Sequence, residues 1–191
     1  MREICFVTGN QNKIIEVKKL IKNFKLISTQ DLNFYDEIPE IENTIQGNSL
    51  LKSSFIYNKY NINCFSDDSG LFINSLDGEP GVRSARYASE VSDTEENINL
   101  VLKNLIGLED RSATFETCIC LIIDGQIRYF KGSVKGKIAS KRQGFRGFGY
   151  DPIFIPDGYD RSFAEMSLEE KNTISHRSIA TKKLINFLNQ Q

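Results

Sequence analysis

The sequence predicts an α/β fold in which a mixed β-sheet is flanked by helices. Its first third alternates strand and helix in the manner of a parallel βαβ unit, and a later stretch has the signature of a β-hairpin, which adds antiparallel strands. The chain has 191 residues, 40% of them hydrophobic, which is enough to bury a substantial core. We expect a single domain over residues 1–191, without an internal repeat or a linker.

The opening residues are expected to form the βαβ unit. The apolar run Ile4–Thr8 predicts a strand, and Gln11–Phe24 carries apolar residues at helical spacing. Lys25–Ser28 predicts a second strand, parallel to the first because a helix connects the two.

The next two elements lead to the most informative motif. Ile45–Tyr60 predicts a helix whose inward face carries Leu51 and Phe55. Ile62–Phe65 predicts a buried strand that ends at a glycine turn, Asp67-Asp68-Ser69-Gly70.

The second half is expected to hold a hairpin and three helices. Thr114–Ile123 and Gln126–Val134 flank Asp124-Gly125, the strongest short-range hairpin signal in the chain. The remaining predicted elements are a helix from about Asp93 with Ser92 and Glu95 as a capping box, the strand Pro152–Ile155, a short helix opened by Ser167 and Glu170, and a final helix Arg177–Asn189.

Composition excludes several classes of protein. Lys plus Arg number 24 and Asp plus Glu 25, so we expect no nucleic-acid partner, and the apolar runs are too short for a membrane span or a signal peptide. The four cysteines fall in predicted strands and have no zinc-site spacing, so we expect reduced core residues, no membrane partner and a cytoplasmic protein. They are Cys5, Cys64, Cys118 and Cys120.

The tandem carboxylates Asp67 and Asp68 are the first candidates for chemistry. Burying an unpaired carboxylate costs several kcal/mol, and two neighbouring carboxylates repel each other. The pair is therefore expected to serve a metal ion or an activated water molecule.

Two further segments favour a phosphorylated ligand and its metal ion. Thr8–Lys13 joins a strand to a helix, where N–H groups and Lys13 suit phosphate, although an ordinary capped turn explains the same pattern. Glu37, Glu40 and Glu42 crowd one loop, either as solvated side chains or as oxygen ligands for Mg²⁺.

A glycine-rich loop and a late basic cluster suggest where a base binds. Phe148 and Tyr150 could stack on a heterocycle, or they could pack in the core beside Asp151. His176 and Arg177, with Lys171 nearby, form a positive cluster suited to an anionic or carbonyl-bearing ligand.

Together these motifs resemble the inosine triphosphate pyrophosphatase family. The resemblance rests on Thr8-Gly9-Asn10-x-x-Lys13, Asp67-Asp68-Ser69-Gly70-Leu71, Gly81–Ala88, Gly147–Phe154, Glu169-Glu170-Lys171 and Ser175-His176-Arg177. It implies a fold with two lobes around a nucleotide cleft. It also implies a homodimer that uses Mg²⁺ to hydrolyse a purine nucleoside triphosphate substrate (ITP, dITP or XTP) to the monophosphate and pyrophosphate.

The resemblance also implies a role for each matching residue. The implied role of Asp68 is that of proton acceptor and metal ligand. Glu40 is the implied second metal ligand, although Glu42 is close to it in the sequence and remains an alternative. The implied substrate-binding residues are Thr8, Gly9, Asn10, Gln11, Asn12, Lys13, Lys52, Ser69, Phe148, Gly149, Tyr150, Asp151, Lys171, His176 and Arg177.

The sequence departs from the family pattern at two positions, and two other functions remain as alternatives. The family commonly has glutamate where this chain has Gly47, and a second glycine where it has Arg146. A regulatory nucleotide-binding module would bind without turnover, and a metal-dependent sugar phosphatase would release orthophosphate.

Overall fold

The computed structural model describes residues 2–21 and 24–190. Within these residues the chain forms seven strands and five α-helices. The strands are β1 (Arg2–Phe6), β2 (Phe24–Ser28), β3 (Cys64–Ile73), β4 (Pro80–Gly81), β5 (Ser112–Ile123), β6 (Gln126–Ile138) and β7 (Phe154–Pro156). The helices are α1 (Gln11–Lys18), α2 (Ile45–Tyr60), α3 (Thr94–Asn104), α4 (Leu168–Ile174) and α5 (His176–Leu188).

The strands form a mixed sheet, which confirms the predicted fold class. Their order is β2-β1-β3-β5-β6-β7, with β4 beside β3. Strand β1 is parallel to both β2 and β3, whereas β4 is antiparallel to β3 and β7 is antiparallel to β6. Asp124 and Gly125 have positive φ angles of 49° and 77° and join β5 to β6, as the hairpin signal predicts.

Several predicted boundaries are wrong in an informative way. Helix α1 ends at Lys18, whereas the predicted helix ends at Phe24. Residues 22 and 23 of the predicted helix, and positions 1 and 191 of the predicted domain, lie outside the described residues. Strand β3 runs on through the predicted turn at Asp67–Gly70. Asp93, not Ser92, caps α3 and accepts a hydrogen bond from the Glu96 N–H.

Residue contacts divide the chain into two compact units. Unit 1 holds the residues up to Asp68, Thr117–Gly132 and the residues from Arg177 onward; unit 2 holds Ser69–Glu116 and Ser133–His176. The chain passes between the units within β3, β5 and β6 and at the peptide bond before Arg177.

In unit 1, helices cover both faces of the strands. Ile4 and Phe6 of β1 belong to a hydrophobic cluster with residues of α1 and α5, whereas Cys5 and Val7 belong to another with Ile56 of α2. Because side chains alternate along a strand, α1 and α5 lie on one face and α2 lies on the other. All four cysteines of the chain are buried and free in the described structure, as expected.

Unit 2 has its own core, built around α3 and an aromatic group. Ile98 and Val101 of α3 are fully buried in this core, and Phe154 and Phe163 pack on Phe115. In the described ranges, no helix is both long enough and apolar enough to cross a membrane.

Candidate active site

Asp67 and Asp68 lie inside β3, where their relative exposures are 1% and 6%. Neighbouring side chains of a strand point to opposite faces, so one carboxylate faces α1 and α5 and the other faces α2. The contacts agree, because Asp67 binds Lys13 and Arg177 while Asp68 lies beside Lys52.

Asp67 belongs to a chain of four charges of alternating sign, of which Asp67, Arg177 and Glu16 are buried and Lys13 is half-buried. Its carboxylate accepts a hydrogen bond of 2.9 Å from Lys13 Nζ and one of 2.8 Å from Arg177 Nε. Arg177 Nη1 also donates to Glu16 Oε2 at 2.7 Å. Two acids and two bases balance, which is how buried charges are tolerated.

The same contacts determine the ionisation of these groups. Burial by itself raises the pKa of Asp67, but the Lys13 and Arg177 cations outweigh it and hold that pKa well below its usual range. Burial lowers the pKa of Lys13, although Asp67 opposes the shift. Asp67 is therefore a fixed anion that holds two cations in place.

Asp68 is in the opposite situation. Its Oδ1 lies 3.5 Å from Lys52 Nζ, and its buried Oδ2 has no hydrogen-bond partner among the described residues. Burial raises the pKa of Asp68, and the Glu40 carboxylate raises it further, against the attraction of Lys52. This is the environment of a carboxylate that can take up a proton.

Lys52 joins Asp68 to the acidic loop. Its ammonium donates to Glu40 Oε1 at 2.6 Å and to the backbone oxygen of Asp67 at 2.8 Å. Burial lowers the pKa of Lys52, but the Asp68 and Glu40 carboxylates more than compensate, so the net shift is upward. A cation is thus shared by the two carboxylates predicted to bind Mg²⁺.

The residues present fit a magnesium ion bound together with a phosphorylated ligand. Mg²⁺ takes one or two protein carboxylates plus water and phosphate oxygens, and the unpartnered oxygen of Asp68 is a hard ligand of this kind. Glu40 shares Lys52 with Asp68, whereas Glu42 has an exposed side chain and its N–H donates to Asn48 Oδ1 at 2.9 Å. No three His, Cys, Asp or Glu side chains in the described ranges form a metal site by themselves.

The turn before α1 is a capped helix start. Asn10 Oδ1 accepts from the N–H groups of Asn12 and Lys13 at 3.0 and 3.2 Å, and Thr8 Oγ1 accepts from the Asn10 N–H at 3.1 Å. Gln11 and Asn12 are exposed, and in the described structure the space that a side chain at Gly9 would occupy is open. An anion can therefore approach this helix end closely.

Three of the predicted base-site residues come together in unit 2. Lys171 Nζ donates to Asp151 Oδ2 at 2.6 Å, and the Phe148 N–H donates to the same oxygen at 2.9 Å. The Lys171 ammonium also lies 5.0 Å from the centroid of the Phe148 ring.

Two other predicted residues are held in the core of unit 2. Tyr150 is buried and its hydroxyl donates to the Ser84 carbonyl at 2.9 Å. The buried imidazole of His176 stacks on Phe115, with ring centroids 4.6 Å apart. Ser69 is half-buried on β3.

The two residues that depart from the family pattern, Arg146 and Gly47, each make close contacts with a neighbouring segment. Arg146 is tied to one neighbouring segment, because its N–H donates to the Ala164 carbonyl at 3.0 Å and its Nη1 to the Glu165 carbonyl at 3.4 Å. A side chain at Gly47 would lie 2.8 Å from Glu42 Cβ, so glycine lets the acidic loop pack on the start of α2.

Glu16 is the residue of this site that the sequence reasoning missed. It lies in a segment that its apolar positions predict to be helical, and it follows Lys13 by three residues, which puts both on one face of α1. That spacing is the signal that could have identified it.

Comparison with known proteins agrees with the motif resemblance. The sequence profile described as the Ham1 family matches residues 4–187. The chain is 43% identical to a protein of Flavobacterium johnsoniae named dITP/XTP pyrophosphatase, covering 97% of each chain, and 39% identical to one so named in Bacillus subtilis, covering 98% of each.

Solved structures show the same fold. The Ham1 protein of Staphylococcus aureus superposes with a TM-score of 0.90 at 38% identity and 99% coverage of both chains. A HAM1 protein from Coxiella burnetii superposes with a TM-score of 0.92 at 34% identity over the full length of both. This chain therefore belongs to the Ham1 family.

Proposed function

We propose that this protein hydrolyses non-canonical purine nucleoside triphosphates (ITP, dITP and XTP) to the nucleoside monophosphate and pyrophosphate. The observation that carries the proposal is the buried Asp68 carboxylate, which has a raised pKa and one unpartnered oxygen in the described structure and lies next to a buried cation. The names of the relatives support the same reaction.

The charges of unit 1 suit a triphosphate. Lys13 and Lys52 offset part of its negative charge, and α1 presents its N-terminal end to the same anion. Asp68 accepts the proton of the water that attacks the α-phosphorus, and pyrophosphate leaves. Glu40 and Asp68 would hold Mg²⁺, which would neutralise charge on the phosphate oxygens.

Selectivity is assigned to the hydrogen-bonding pattern of the base. Hypoxanthine and xanthine have an acceptor oxygen at C6, where adenine has an amino donor, so donors placed there are left unpaired by ATP. We assign base and sugar recognition to Phe148, Lys171 and His176 of unit 2. Mispairing of this kind gives discrimination of roughly 10⁴.

The partner and location follow from the same proposal. We propose a homodimer, to be tested by the mass in solution from light scattering: a dimer mass supports it and a monomer mass at working concentration rejects it. A cytoplasmic location is in keeping with the free cysteines of the described structure.

The test is product identification with a panel of nucleotides. ITP, dITP, XTP, ATP and GTP are incubated with the protein and Mg²⁺, and the phosphorus products are resolved by ³¹P NMR. Pyrophosphate from the first three, with little product from ATP, supports the proposal. Orthophosphate would indicate a phosphatase, and binding without any product a regulatory module.

A further inference from the structure

The Asp151 carboxylate is buried at the centre of the Phe148–Asp151 turn. Asp151 is 3% exposed, and its Oδ2 accepts hydrogen bonds from both the Phe148 N–H and the Lys171 ammonium. One oxygen atom therefore fixes the backbone of an aromatic residue and the position of a cation. This oxygen is therefore already engaged by two donors within the protein.

The two groups that Asp151 holds also contact each other. Lys171 Nζ lies 5.0 Å from the Phe148 ring centroid and 5.7 Å from that of Phe163, within the range of cation–π attraction. The ammonium, the ring and the carboxylate thus form one compact group within unit 2. Moving any one member disturbs the other two.

Gly147 provides the space that this carboxylate fills. Its φ angle is +74°, and a Cβ atom added there would lie 2.0 Å from Asp151 Oδ2. Gly158 is a matched reference, because its φ is +83° and its added Cβ would meet nothing within 4 Å in the described structure. Alanine at either position incurs the positive-φ strain, but at position 147 it also displaces the carboxylate.

We propose that Asp151 is a positioning residue, which holds Phe148 and Lys171 in place as one preassembled group for the purine base and sugar. Gly147 is part of this arrangement because it leaves room for the carboxylate. The identity of the ligand rests on the proposed function; the arrangement of the four residues does not.

The binding test uses IMP, a purine monophosphate that lacks the pyrophosphate part of the substrate, so no turnover interferes. Asp151→Asn keeps an oxygen for the Phe148 N–H but removes the charge that holds Lys171, and calorimetry should show IMP binding weakened by roughly tenfold or more. In a Lys171→Met background, Asp151→Asn should weaken IMP binding by less than about twofold. The reason is that Asp151 acts on binding through the Lys171 ammonium, which this background already lacks. Losses that add in the double variant, or no loss in Asp151→Asn, would overturn the proposal.

The double variant also keeps the proposal testable if the single variant Asp151→Asn misfolds. Asp151→Asn with Lys171→Met removes both members of a buried ion pair, a change that proteins tolerate better than the loss of one partner. If Asp151→Asn alone does not fold, the double variant must still bind IMP as well as Lys171→Met does.

A stability measurement separates this proposal from the proposed function. Gly147→Ala should lower the thermal unfolding midpoint clearly more than Gly158→Ala, and equal shifts would show that the carboxylate does not occupy the space beside residue 147. If the wild-type protein fails to bind IMP while this difference holds, the ligand assignment has failed and the residue arrangement stands.

Discussion

Asp67 and Asp68 are neighbours in the sequence whose carboxyl groups lie in opposite electrostatic environments. Lys13 and Arg177 neutralise Asp67 and hold its pKa below the usual range, whereas Asp68 has a raised pKa although Lys52 Nζ lies 3.5 Å from its Oδ1. The motif alone predicts two acids suited to chemistry. It cannot assign their roles, because the cations come from residues up to 110 positions away in the sequence.

These environments predict opposite effects of the same substitution on stability. Asp67→Asn leaves the buried Arg177 and the half-buried Lys13 without their shared anion and should cost about 3–5 kcal/mol of unfolding free energy. Asp68→Asn removes a charge that burial disfavours and should leave stability at pH 7 equal to or above that of the wild type. Denaturant unfolding of both variants measures this; equal losses would contradict the assigned environments.

Asp68→Asn should also lower turnover of ITP by at least about 10², because the amide cannot accept the proton of the attacking water. The variant should fold like the wild type, which circular dichroism can check. Near-normal turnover would exclude Asp68 as the base.

Lys13→Ala should mainly weaken binding of the triphosphate. The ammonium lies at the start of α1 beside Asp67, so its loss should raise KM for ITP by roughly tenfold, with a smaller effect on kcat. Lys18→Ala, which alters an exposed lysine at the end of the same helix, is the control. An unchanged KM in Lys13→Ala would count against its phosphate role.

At the scale of elements, helix α2 shows where sequence patterns succeed and fail. Its predicted bounds, Ile45–Tyr60, are confirmed, but the predicted inward face is wrong, because Phe55 is 42% exposed. The buried positions are mostly polar: Asn48, Ser49, Lys52, Ser53 and Ile56. The hydrophobic pattern does not predict this buried face, because the face is made mostly of polar residues. One of them is Lys52, which lies near Asp68 and Glu40.

Hydroxyl groups bind this face of α2 to the strands. The Ser66 hydroxyl donates to Ser49 O at 2.5 Å, and the Ser53 Oγ lies 2.8 Å from both Ser66 Oγ and Cys120 O, to one of which it donates. Strand β3 also differs from its predicted bounds, since Ser66 to Gly70 continue the strand although their polar residues suggest its end.

Ser53→Ala should destabilise the fold by about 1–3 kcal/mol, because buried polar groups lose a partner. It should also raise KM for ITP, since Lys52 is the preceding residue of the helix. Ser54→Ala, at a less buried position of α2, is the matched control. Equal unfolding free energies for the two variants would show that the hydroxyl contacts do not anchor the helix.

At the scale of the whole molecule, local signals predict the order of elements well. The parallel βαβ start and the Asp124-Gly125 hairpin depend on neighbouring residues, and both are found. Within unit 1, the three segments carrying Lys13, Asp67 and Arg177 meet with hydrogen bonds of 2.8 and 2.9 Å. The motifs predicted that these segments serve one site, but the pairing of their atoms follows from packing of α1 and α5 on β3.

The most direct measurement is hydrolysis of ITP in ¹⁸O-labelled water, followed by mass spectrometry of both products. Attack of water on the α-phosphorus, with Asp68 as the proton acceptor, predicts one ¹⁸O atom in IMP and unlabelled pyrophosphate. Label in pyrophosphate, or the appearance of IDP and orthophosphate, would contradict the account.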